Sequence, residues 1–215
     1  VIGKILEKLR RSAPAVTPEL ERRIRQSFDE SSADEEHFPS TIDPRIYHVQ
    51  LLLRFFGSQE NGRALDIGCG KGRFARVFAG EWPTARITAT DISTAMLAYV
   101  KPPLQACAAT MTTLPFRDGV FDVVYATESL EHAVDIERAV AEMCRVTRPG
   151  GKVAVIDKNA EHWGKLKTPE WERWFHRREL EKLLGRHCRK VDSQLISYWE
   201  DVPPDGMFIA WLAEK

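Results

Sequence analysis

The stretch Ala64-Leu65-Asp66-Ile67-Gly68-Cys69-Gly70-Lys71-Gly72-Arg73-Phe74 constrains the fold more than any other part of this 215-residue chain. Residues 64–67 read as the end of a buried parallel strand, and Phe74, Val77 and Phe78 follow at helical spacing. Between them stand three glycines at alternate positions. A strand, a glycine turn and a helix in that order let a ligand approach the main chain, because glycine puts no side chain in its way. The spacing does not match the dinucleotide fingerprint, which requires glycine at 73, where this chain has Arg73. What remains is an acid, Asp66, at the strand's end, followed by Gly68, Gly70 and Gly72. A purely structural turn is the alternative.

Length and a hydrophobic content of 43% predict one domain with a full core. Lys+Arg and Asp+Glu both total 31, so no global field favours nucleic acid or a membrane surface. Cys69, Cys107, Cys144 and Cys188 form no C-x-x-C pair. Cys107 falls in a predicted strand and Cys144 in a predicted helix, which favours buried thiols over disulfides. The six histidines do not cluster with those cysteines at ligand spacing, so no metal site is expected. No apolar run has transmembrane length and no signal h-region opens the chain, which points to a soluble, reduced, cytoplasmic protein. The first residue is Val1, so a preceding piece is left open, as is the oligomeric state.

Ile2, Ile5, Leu6 and Leu9 recur at helical spacing among basic residues, a short amphipathic helix suited to packing on this domain or a partner. Residues 19–28 form a second helix, and residues 29–40, acidic and serine-rich, read as a mobile connector. Residues 1–40 are thus a helical extension, and 41–215 the main domain. Asp43 and Pro44 predict the cap and first position of a helix that Gly57 ends. Residues 85–91 make a second strand ending in Asp91, roughly 20 residues beyond the glycines, where Rossmann-type acids meet ribose hydroxyls. Asp91 can instead cap a helix over residues 93–99. Strands follow at 104–108, 120–126 and 153–156, with a helix over 136–146 ending in a chain reversal at Arg148-Pro149-Gly150-Gly151. Residues 162–176 are rich in tryptophan, and residues 173–190 are basic, which reads as a solvated helix face before an RNA-binding one. Residues 191–198 and 207–212 close the chain as a hairpin-like pair. The alternation predicts an α/β fold with a doubly wound, mostly parallel sheet.

Four segments carry a resemblance: the Asp66 glycine motif, the strand ending at Asp91, Leu114-Pro115-Phe116 leading to Phe121-Asp122, and the helix running to Pro149-Gly150-Gly151. In that order, over residues 63–157, they resemble class I S-adenosylmethionine-dependent methyltransferases, of the kind that act on small molecules. The resemblance implies seven strands, the last antiparallel, with S-adenosyl-L-methionine as cofactor and S-adenosyl-L-homocysteine as product. It assigns cofactor binding to Asp66, Gly68, Cys69, Gly70, Gly72, Asp91, Ile92, Thr110, Met111, Thr112, Ala126, Thr127 and Leu130. Thr110 stands where the family often has an adenine-binding acid, and Met111 either packs on the ring or belongs to a plain loop. Glu131 and His132 fall near the acceptor, with capping the next helix or meeting a carbonyl as other roles for His132. His162 is the third catalytic candidate, beneath a cover formed by Trp163 and Trp171, with acceptor-binding elements from residues 1–60 and 157–176.

No Asn-Pro-Pro-Tyr or Asp-Pro-Pro-Tyr follows the fourth strand, which argues against the amino-methylating DNA and protein-glutamine enzymes. No DNA partner is therefore expected. The function implied is in-line methyl transfer to a small-molecule acceptor. An RNA or protein methyltransferase, and a binding protein that holds the cofactor without turnover, are the alternatives.

Overall fold

A computed structural model describes residues 17–215. The basic helix expected near the start, over residues 2–9, lies outside them. Seven strands form one sheet: β1 (Arg63–Ile67), β2 (Arg86–Asp91), β3 (Gln105–Ala108), β4 (Phe121–Thr127), β5 (Thr147–Lys158), β6 (Lys190–Ile196) and β7 (Phe208–Glu214). Their order is β3-β2-β1-β4-β5-β7-β6. The first five run parallel, and β7 lies antiparallel to both β5 and β6. The helices are α1 (Pro18–Glu30), α2 (Tyr47–Phe56), α3 (Arg73–Glu81), α4 (Thr94–Leu97), α5 (Ile136–Val146) and α6 (Arg177–Gly185).

The central strands are buried along most of their length because both faces of the sheet are covered. Successive side chains point to opposite faces, so one strand feeds two cores. Leu65 and Ile67 of β1, with Val124 and Ala126 of β4, meet Val140 and Met143 of α5 and Leu180 and Leu184 of α6. Ala64, Val123 and Tyr125 turn the other way, against Leu52 and Phe56 of α2 and Phe74 and Phe78 of α3. The sheet is therefore the middle layer of three, as the alternation of elements predicts. His48 of α2 is fully buried with neither ring nitrogen paired, and burial pushes its pKa down to about 4. Cys69, Cys144 and Cys188 are buried free thiols and Cys107 is half-buried; the Cys144 and Cys188 sulfurs lie 3.7 Å apart.

Three local expectations give way. The helix expected from Pro44 starts at Tyr47 with no side-chain cap, because Asp43 accepts the amide and guanidinium of Arg45 and is not free to cap. The helix after Asp91 is one turn, capped by the Ser93 hydroxyl, which accepts from Met96 N at 3.0 Å. The reversal at residues 148–151 is an excursion inside β5: Phe121 pairs with Thr147 and Val123 with Lys152, so four residues loop out of register without ending the strand. Among the described residues no helix is long and apolar enough to cross a membrane.

Candidate functional site

The strand order reverses between β1 and β4, and a cleft opens there at the carboxyl ends of β1 to β4, where open α/β sheets hold ligands. It encloses about 1050 Å³ of empty space, its mouth included. Gly68, φ +65°, abuts β4: a Cβ on it would stand 2.5 Å from the Ser129 Cβ. The Ser129 hydroxyl donates to Ile67 O at 2.8 Å and ties the two strand ends together. Gly70, φ +53°, is different, because a Cβ there would meet nothing within 4 Å and would project into open space. Its amide donates to Asp91 Oδ2 at 2.8 Å, and Ser93 N donates to Oδ1 at 2.8 Å. Two amides thus fix the Asp91 carboxylate at the cleft wall.

Nine of the residues expected at the cofactor line the cleft: Gly68, Cys69, Gly70, Asp91, Ile92, Thr110, Met111, Thr112 and Thr127. The structure does not bring Asp66, Gly72, Ala126 and Leu130 to it. Asp66 lies beneath the turn, where burial raises its pKa to about 7. Gly72 caps α3 against Val100, and Ala126 and Leu130 belong to the core below. The Thr110 hydroxyl bonds that of Thr112 at 2.6 Å. A bare main-chain edge at Gly70 and an oriented carboxylate at Asp91 suit a nucleoside with cis hydroxyls. Asp91→Ala is expected to weaken binding of S-adenosyl-L-homocysteine by about 1.5–3 kcal/mol, the range for a hydrogen bond to a charged group. Calorimetry checks this, beside a melting curve that reports the cost of the two amides that Ala leaves unpaired.

The far wall comes from a region read as a connector. Ile24 and Phe28 of α1, with His37, Phe38 and Pro39, line the cleft opposite the strand ends. Lys71, only 2% exposed, fastens them: its Nζ donates to Glu35 Oε1 at 2.6 Å and to Asp34 O at 3.0 Å. Asp29 Oδ1 accepts from the Ser93 hydroxyl at 2.6 Å and from Ala95 N at 3.3 Å. Two of the acidic side chains, Glu35 and Asp29, are thus partners for a buried lysine and for the start of α4. Phe28 and Phe38, edge to face at 5.9 Å, bracket the acidic run, and that bracket is the signal sequence reasoning passed over.

His132 closes the cleft beside Ala133 and Val134, edge to face with Phe28 at 5.0 Å. Behind it lie the carboxylates of Glu131, Asp157 and Glu172, all buried, around the ammonium of Lys158. Lys158 Nζ bonds Glu131 Oε1 and reaches Glu172 Oε1 at 3.1 Å, while Glu131 N donates to Asp157 Oδ2. Burial raises Glu131 well above the usual carboxylate range and Asp157 to about 6. Burial, helped by the charge of Lys158, lowers His132 to about 3. Glu131, His132 and Glu172 each offer a ligand-type atom, all within 4.8 Å of one another. The lysine already supplies a cation between the two carboxylates, so the group reads as an ion cluster with its charge partly balanced from within.

Of the three catalytic candidates, only His132 lines the cleft. Glu131 points into the ion cluster, and His162 lies away from both, against Gly206 and with Nδ1 2.6 Å from Lys165 Nζ. Trp163 is half exposed and packs on Trp174, and the Arg23 guanidinium lies 5.9 Å over Trp171, so neither tryptophan lines the cleft. Just after Trp171 the same stretch carries Glu172 and Trp174, whose part in the ion cluster sequence reasoning missed. Several of the basic residues after 173 are paired: Arg177 with Glu181, Arg186 with Glu137, Arg189 with Glu214 and Lys190 with Asp192.

Residues 65–155 match the family described as methyltransferase domain. The chain is 32% identical over 206 residues to malonyl-(acyl-carrier protein) O-methyltransferase of Geobacter sulfurreducens, covering 85% of this chain and 77% of that one. It is 30% identical over 145 residues to the ubiquinone/menaquinone biosynthesis C-methyltransferase of Bdellovibrio bacteriovorus, covering 62% and 61%. The chain thus spans between about three fifths and three quarters of the length of these relatives. Among solved structures, geranyl diphosphate C-methyltransferase of Streptomyces coelicolor, in complex with Mg2+, geranyl diphosphate and S-adenosyl-L-homocysteine, superposes with a TM-score of 0.67 at 14% identity, covering 94% and 99%. Phosphoethanolamine N-methyltransferase 2 of Haemonchus contortus, bound to S-adenosyl-L-methionine, gives 0.70 at 15% identity, covering 89% and 60%. At such identities these two likenesses bear on the fold alone.

Proposed function

The chain belongs to the class I S-adenosylmethionine-dependent methyltransferases, and from that premise we propose that it methylates a small acceptor at an oxygen. When bound, S-adenosyl-L-methionine would supply an electrophilic methyl group on its sulfonium, whose charge is lost as the sulfur departs as the neutral thioether of S-adenosyl-L-homocysteine. The single observation that carries the oxygen reading is His132, the one imidazole standing at the cleft's end beside the ion cluster. A hydroxyl or phenol acceptor gains from losing its proton as it attacks, where a carboxylate is already ionised, and a neutral ring nitrogen is the group to take that proton. The remaining work of the protein is to align the partners and to keep water out. Ile24, Phe28, Phe38, Ala133 and Val134 give the acceptor end an apolar lining, which suits an acceptor with an apolar body. In this reading residues 41–215 form the cofactor-binding domain, and the preceding extension supplies the acceptor-side wall.

An acceptor screen with methyl-labelled cofactor tests the proposal. The panel takes its chemistry from the relatives and neighbours: malonyl thioesters and free carboxylates, quinols and phenols, prenyl diphosphates, and ethanolamine phosphates. Label is expected in an ester or ether product, with His132→Gln lowering turnover of a hydroxyl or phenol acceptor by about 100-fold, the low end for general-base catalysis. Label appearing only on carbon or nitrogen would overturn the oxygen reading, and label in protein or RNA would overturn the small-acceptor reading.

A further inference from the structure

The ion cluster behind His132 is larger than a single base requires. Of the ring's two nitrogens, Nδ1 is buried without a hydrogen-bond partner. This leaves Nε2 as the nitrogen that can meet an acceptor in the cleft. Glu172, which does not line the cleft, places its Oε2 4.0 Å from Nδ1. The other oxygen of that carboxylate is held twice, by Trp174 Nε1 at 2.7 Å and by Lys158 Nζ at 3.1 Å. A carboxylate pinned at Oε1 keeps Oε2 aimed at the ring, and a shift of roughly 1 Å closes the pair to hydrogen-bond length. Glu131 Oε1 approaches from the Nε2 side at 3.6 Å, but that oxygen is occupied by Lys158.

We propose that Glu172 is the positioning residue of His132, holding the ring as the Nδ1–H tautomer so that the Nε2 lone pair faces the acceptor. The inference deepens the proposed function and rests on its reading of His132 as the base. The proton then moves from the acceptor oxygen to Nε2, and the imidazolium so formed donates from Nδ1 to Glu172. It leaves for solvent through the cleft mouth once product departs. The need for such a partner is evident in the surroundings. Burial and the Lys158 ammonium hold the ring at a pKa of about 3 with Glu172 Oε2 still 4.0 Å from Nδ1, so closing that gap to a hydrogen bond is what raises its basicity. The charged groups facing the ring are Glu131 from its own turn, Asp157 and Lys158 from β5, and Glu172 from the segment before α6; from α1, Phe28 packs on its edge and Glu21 lines the same cleft.

The lysine and the tryptophan N–H make the test sharp. Both donate to the Oε1 position, so in Glu172→Gln the amide oxygen must take that place and the NH2 must face Nδ1. A donor there forces Nδ1 to be the acceptor and moves the ring proton to Nε2. Nitrogen-15 spectra of histidine-labelled full chain with S-adenosyl-L-homocysteine, in which His132→Gln assigns the resonance, read the tautomer without any acceptor. Expected are Nδ1–H in the wild type, Nε2–H in Glu172→Gln, and a return to Nδ1–H in Glu172→Asp, with melting temperatures confirming folded protein. The same tautomer in all three would overturn the inference. With an acceptor from the screen, Glu172→Gln is expected to lower kcat by about 100-fold with KM little changed. Tautomer inversion alongside full activity of His132→Gln would instead remove the base reading and leave the placement of Glu172 standing.

Discussion

Gly70→Val is expected to fold and to lose the cofactor. A Cβ at this position would meet nothing within 4 Å, so the added side chain occupies only cleft. The backbone at φ +53° makes the substitution cost about 1–2 kcal/mol of stability, the usual penalty for an L-residue in the left-handed region. The loss of binding is expected to exceed about 3 kcal/mol, the upper range for forcing extra side-chain volume into filled space, since cofactor and isopropyl group would compete for one place. Calorimetry with S-adenosyl-L-homocysteine, beside a melting curve, separates the two effects. Gly80→Ala is the control: its Cβ also meets open space, but Gly80 lies in α3 without a positive φ and outside the cleft, so binding should be unchanged. Near wild-type affinity in a folded Gly70→Val would place the cofactor elsewhere.

That expectation was legible in the residues because the glycine turn is a local device. A strand end, three spaced glycines and a helix specify their own geometry, and Asp91 at the end of β2 is brought to Gly70 by the parallel pairing of β1 with β2. Parallel pairing, in turn, follows from alternating strands and helices. The acceptor side was not legible in the same way. Glu172 reaches His132 across forty residues, through the return of the chain after β5, and no spacing rule links a Glu before α6 to a His after β4. The acidic run at 29–40 misled because composition reports average solvation. A single buried lysine, Lys71, turns Glu35 and the carbonyl of Asp34 into ligands, and the charge density that suggests a mobile linker then describes a fastened wall. The tryptophans misled for a related reason. Trp163 and Trp171 are large and conspicuous, but the residues of this stretch that join the ion cluster behind His132 are their neighbours Glu172 and Trp174, distinguished by whom they bond.

Lys158→Met is expected to be the most destabilising single substitution around the cleft, by about 3–5 kcal/mol, because it leaves buried charges without their counter-ion. The methionine keeps an apolar stem of similar length, so lost packing contributes little. What is lost is the ammonium between Glu131 and Glu172, beside Asp157, three carboxylates no more than 5% exposed. The pH dependence distinguishes charge from packing. Lys158 itself has a raised folded pKa, so its ammonium stabilises at every pH below the ordinary lysine range and supplies no slope between pH 5 and 8. The carboxylates do. Burial already holds Asp157 at about 6 and Glu131 above its usual range, so the native state binds more protons than the unfolded one, and their contribution to stability falls as pH rises through that window. Without the lysine both are pushed higher, so the deficit of the variant is expected to be largest near pH 8 and to shrink toward pH 5, as protons replace the missing cation. The wild-type slope alone is not diagnostic: His48 at about 4 and His132 at about 3 leave the unfolded state with more protons between pH 4 and 6.5 and oppose the acids. The difference between variant and wild type cancels the His48 contribution, and urea unfolding at both pH values measures it. An equal deficit at pH 5 and pH 8 would assign the loss to packing and would remove the ion cluster as the element that holds this end of the cleft together.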